Sequence, residues 1–123
     1  MRIILALIMM LATAAPAPAQ HAHGIKGPNG GQMEDVAGVH AELVTAGSTI
    51  TLNILDDANK PILTKGFVAS ALVVRGAERE AVALVPADEV KLKGEAKTPI
   101  AGAVITVTLK TAAGKSGQAK FKP

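Results

Sequence analysis

The 123-residue chain has no cysteine, no tryptophan and no tyrosine, and its only aromatic rings are Phe67 and Phe121. Each absence closes off a class of function. Without cysteine there is no disulfide framework, no thiolate metal cluster and no cysteine nucleophile. Without exposed aromatic platforms the chain has nothing on which to stack bases or sugar rings, which disfavours nucleic-acid and carbohydrate binding. Serines occur only at Ser48, Ser70 and Ser116, none in a nucleophile-elbow context. No His-Glu-x-x-His motif and no phosphate-binding glycine loop after a strand is present. The chain therefore reads as a binding protein and not as an enzyme.

The first nineteen residues have the three parts of a secretory signal peptide. Arg2 follows the initiating Met1, an apolar run extends from Ile3 to Leu11, and Ala17-Pro18-Ala19 ends the segment. The run is much shorter than the roughly 20 residues that span a bilayer. Cleavage after Ala15 or Ala17 would leave proline at the new N-terminus, so Ala19 and Gln20 flank the expected cut. Removing 19 of 123 residues leaves 104, with 12 basic against 10 acidic side chains. The expectation is a periplasmic or secreted protein with no membrane insertion after signal cleavage. Its mild positive charge gives no footprint for nucleic acid.

Three segments are expected: the signal peptide over 1–19, a flexible N-terminal arm and glycine-rich lead-in over 20–37, and a β-domain over 38–123. Period-two alternation starts at Val39 and marks a hairpin, with Ala41 and Leu43, then Ile50, Leu52 and Ile54, on one buried face. Asp56 to Pro61 is a turn by its chemistry. Further strands are expected at Phe67–Arg75, Arg79–Val85, Glu89–Lys93, Ala103–Lys110 and Gln118–Phe121. Seven short antiparallel strands without a helix predict an all-β, immunoglobulin-like sandwich, with a small closed barrel as the alternative.

All three histidines lie between residues 21 and 40. Alternation places His40 and Glu42 together on the outer face of the first hairpin strand, two apart, where they can ligate one ion. A polar strand face with no ligand is the simpler reading of that pair. His21 and His23 have a His-x-His spacing suited to copper, zinc or cobalt. They equally fit a solvated tail. Met33 offers a soft sulfur or serves as a packing plug, while Glu34 and Asp35 offer oxygens or surface charge. Asp56 and Asp57 do not follow the calcium-loop pattern and read as turn residues.

The order Asn29-Gly30-Gly31-Gln32, His40-x-Glu42-Leu43-Val44, Leu55-Asp56-x(3)-Lys60-Pro61-Ile62 resembles a group of small exported bacterial proteins. It is also similar to the domain near the start of some periplasmic adaptor subunits of heavy-metal efflux pumps. In those domains a His-Gly-Gly element often stands where this chain has Asn29-Gly30-Gly31. Gly66-Phe67, Leu84 and Leu92-x-Gly94 extend the likeness over most of the exported chain. The resemblance implies a periplasmic β-sandwich that handles a transition metal (Cu, Zn or Co) and has an envelope protein or efflux-pump adaptor as partner. A metal site at His40 and Glu42, closed by His21, His23 and Met33, is the resulting expectation. A metal-independent interaction module of the envelope is its alternative.

Overall fold

A computed structural model of the chain describes residues 25–123. The described residues form nine strands and no helix: β1 (Ile25–Lys26), β2 (Gln32–Val36), β3 (Val39–Ala46), β4 (Thr49–Leu55), β5 (Val68–Arg75), β6 (Glu78–Pro86), β7 (Lys91–Glu95), β8 (Val104–Lys110) and β9 (Ser116–Phe121). Every pairing is antiparallel, in the spatial order β1-β2-β3-β4-β7-β6-β5-β8-β9. The all-β expectation is met.

The sheet curls until its two ends approach one another. β9 packs against β2, and the Lys122 amide donates to Gln32 Oε1 at 3.0 Å across that junction. The concave side carries the core. Ile50, Leu52 and Ile54 of β4 face Leu92, Ile105, Val107, Leu109 and Phe121, all without solvent contact. These are the residues that period-two alternation turns inward, because successive side chains of a strand point to opposite faces. β5 is flanked by β6 and β8.

The count of nine instead of seven comes from the segment expected to be an irregular lead-in. Gln32–Val36 is a strand paired with β3 through a two-residue turn at Ala37 and Gly38, both at positive φ (52° and 82°). Such turns match the twist of the flanking strands but favour Asn-Gly or Gly-Gly. An alanine there hides the turn from a sequence reading. Of the expected arm and lead-in, residues 20–24 lie outside the described residues, and Ile25 and Lys26 pair with Met33 and Gln32.

The curl predicts unequal sensitivity along one ladder. Leu92 is fully buried between β4 and β6, whereas Val85, whose neighbour Pro86 pairs with it, is 58% exposed. Leu92→Ala should cost about 2–5 kcal/mol, as large-to-small core changes do. Val85→Ala should stay within about 0.5 kcal/mol, as surface changes do. Urea denaturation of the two variants checks this; equal losses would mean that the concave face is not the core.

Candidate functional site

Two polar side chains of β3 project to the convex face, and the fold treats them oppositely. Glu42 has no solvent contact. Its neighbours across the ladder, Met33 of β2 and Asn53 of β4, are buried with it. The cover is the Gly27–Gly31 loop, closed on itself by hydrogen bonds from the Gly30 amide to Gly27 O and from the Gly27 amide to Gly31 O. The amide and the side-chain amide of Asn29 each donate to the Glu42 carboxylate at 2.8 Å, and the Gly31 amide donates at 2.9 Å.

Glycine is needed at two places in this loop. A Cβ at Gly27 would collide with the Glu42 carboxyl carbon, and one at Gly31 with the Leu43 carbonyl. The backbone can reach the carboxylate only because both side chains are absent. Glu42 therefore anchors a loop, and its oxygens are not free to take an ion. On the face where alternation placed Glu42 beside His40, the loop and not solvent meets its carboxylate. Alternation gives the face of a residue, whereas its cover comes from chain 11 and 13 positions upstream.

Met33 lies under the same loop. It is 3% exposed and packs on Leu55 in a small apolar cluster of its own beneath the loop. Packing was the commoner of the two uses considered for it.

His40 stands at the rim of the same face with its side chain 18% exposed. Register places Asp35 of β2 directly opposite it, and His40 Nε2 lies 3.1 Å from Asp35 Oδ1. Asp57 Oδ1 is 3.7 Å from the same nitrogen. On the other side of the ring, His40 Nδ1 is 3.2 Å from Asn59 Oδ1. Asp57 and Asn59 are held in place by the turn after β4. There Asp56 Oδ1 accepts from the Ala58 and Lys60 amides at 2.8 and 3.0 Å, and Asn59 takes a φ of 60°. Asp56 is thus the turn residue its chemistry suggested.

Oxygens surround both ring nitrogens. With Nδ1–H donating to Asn59, the Nε2 lone pair points between two carboxylates, so a metal ion at that nitrogen would meet oxygen on both sides. Two ligands at about 2.0–2.1 Å in a tetrahedral shell lie about 3.3 Å apart. The observed separations of 3.1 and 3.7 Å bracket that value.

Among the described residues no three His, Asp or Glu side chains are already disposed around one point as a metal would require. His21 and His23 lie outside the described residues.

No family model, curated protein or solved structure matches the chain. Sequence reasoning weighed Asp35 only as a loose oxygen donor and Asp57 only as a turn residue, and it gave Asn29 and Asn59 no partner. The signal for Asp35 was the Ala37-Gly38 turn, since a two-residue hairpin through it pairs residue 35 with residue 40.

The two roles separate experimentally. Glu42→Gln exchanges a carboxylate for an amide and sets one of its N–H groups against loop donors. It should destabilise the protein by about 1–3 kcal/mol and speed hydrogen exchange at the Asn29 and Gly31 amides. Unchanged exchange at both amides would show that the carboxylate does not hold the loop.

Proposed function

We propose that the protein is an exported accessory protein that binds a transition-metal ion at His40, in keeping with a role beside heavy-metal efflux in the periplasm. The observation that carries the reading is the placement of His40 Nε2 between two carboxylates, with Nδ1 turned to a fixed carbonyl oxygen. An imidazole ligand oriented through its second nitrogen is the usual arrangement of a protein metal site. Asp35 is the nearer oxygen donor and Asp57 the more exposed one, its side chain being 99% exposed.

His21 and His23, outside the described residues, are the further imidazole donors of the exported chain. The leader over 1–19 delivers the protein to the periplasm, and no helix among the described residues is long and apolar enough to cross a membrane. Within this reading the curled sheet is an immunoglobulin-like sandwich. The β6–β7 contact supports that finer assignment, because its ladder between the two halves is only two pairs long, Val85–Lys93 and Pro86–Leu92.

A second reading, docking to an envelope protein without metal, is favoured by a different surface. Leu63, Val68 and Val85 are three of the four large apolar side chains exposed among the described residues. Leu63 and Pro86 border a cavity of about 470 Å³ with Thr64, Asp88 and Glu89. Thr64 pins the loop, its amide donating to the Glu89 carbonyl at 2.8 Å. A rigidly presented apolar patch of this kind suits a protein partner such as an efflux-pump adaptor.

Calorimetric titration of the exported protein with Zn²⁺ and Cu²⁺ tests the first reading. His40→Ala should lower affinity at least about tenfold, and Asn59→Ala, which removes the orienting acceptor, about 10–100-fold. Glu42→Gln should leave affinity within about threefold, since its carboxylate serves the loop. Equal binding by wild type and His40→Ala would overturn the proposal.

A further inference from the structure

The outer face of β5, β6, β8 and β9 differs in chemistry from the rest of the sheet. We infer that this face docks a protein partner whose contact surface is apolar at its centre and acidic at its rim. The inference rests on the docking reading above, is independent of the metal, and adds the chemistry of the partner.

Alternation on β5 and β6 turns Ala69, Ala71, Val82 and Leu84 into the core. It sends Val68, Leu72, Val74, Ala81, Ala83 and Val85 to the other side. Register sets Leu72 opposite Ala81 and Ser70 opposite Ala83, so these side chains form one continuous patch. The solvent face of an antiparallel sheet ordinarily carries polar residues, as β7 does with Lys91, Lys93 and Glu95. On β5 and β6 only Ser70 and Arg79 are polar among the outward positions. Thr106 and Thr108 of β8 and Gln118 of β9 continue the face sideways.

Its charge has one sign. Arg79 stands opposite Val74 at one end, Lys110 opposite Val68 at the other, and Lys120 opposite Thr106 on β9. No strand position of the face holds a carboxylate. Glu78 and Glu80 alternate to the opposite side, where Glu80 accepts from the Lys97 amide. Asp88 and Glu89 follow the end of β6. A partner that covers the apolar centre must bring carboxylates to these cations or leave them without a counter-charge.

A second copy of the chain meets the wrong charge, since the same three cations would oppose one another. The area is also too small: four strands about 4.8 Å apart and about seven residues long cover about 450 Å². A stable dimer buries about 800 Å² on each partner. A lipid surface fits poorly as well, because the face has no aromatic ring to seat among headgroups. Phe121 lies in the core and Phe67 packs against it.

The test is photo-crosslinking in the periplasm, with a benzophenone side chain placed at Ala83 and, as control, at Lys93 on β7. The Ala83 position should give one discrete adduct that the Lys93 position does not, and mass spectrometry should find the crosslinked peptide of the partner rich in Asp and Glu. Combining Arg79→Glu with Lys110→Glu should lower the yield at least about tenfold, because like charges then face one another, with no change in thermal melting. Arg79→Lys with Lys110→Arg should keep the adduct, and His40→Ala should leave it unchanged. An adduct of twice the protomer mass, or a yield indifferent to charge reversal, would overturn the acidic partner and leave docking standing. No adduct from Ala83, or equal adducts from both positions, would overturn the docking reading and this inference with it.

Discussion

A carboxylate removed from water must find its donors inside the protein, since the desolvation of an unpaired charge costs several kcal/mol. Glu42 meets that requirement with three N–H groups from a single five-residue loop. Much of the convex side of the molecule follows from this. The loop is drawn down over β3, Met33 and Leu55 close into a small apolar cluster beneath it, and glycine is imposed at positions 27 and 31. His40, two residues away at the rim, is left as the imidazole that still meets solvent.

The His40-x-Glu42-Leu43-Val44 segment takes on a physical meaning in this light. Leu43 fills the core and Glu42 clasps the loop. The adjoining Asn-Gly-Gly element provides the donors that Glu42 needs, with Asn29 giving two hydrogen bonds from one residue. The fold thus accounts for the glutamate, the leucine and Gly31. It gives His40 no place in the core; the imidazole is instead set among Asp35, Asp57 and Asn59 by a hairpin and a turn that are rigid for reasons of their own.

Strands whose two faces differ in polarity were legible in the sequence. Ile50, Leu52 and Ile54, and likewise Ile105, Val107 and Leu109, alternate with polar residues and are buried as alternation requires. β2 was not legible, because Met33 and Val36 fall on opposite faces and both are buried: Met33 beneath the loop, Val36 in the main core. Its turn was obscured by an alanine at positive φ. At the site, periodicity gave the right face for His40 and Glu42. It was silent on cover, which depends on contacts between distant parts of the chain. Asp57 and Asn59 were recognisable as turn residues from composition, but only the Leu55–Pro61 bridge that closes the turn brings them over His40.

The proposed metal reading rests on a division of labour between neighbours on one strand: Glu42 holds the loop, and of the two only His40 is offered to an ion. Nitrogen-15 NMR of the imidazole and backbone groups during zinc addition tests that division most directly. The account predicts that His40 Nε2 shifts as a metal ligand, that Nδ1 keeps its proton, and that the Asn29 and Gly31 amide signals stay where they were. A zinc-dependent shift of those amides with His40 unmoved would contradict it.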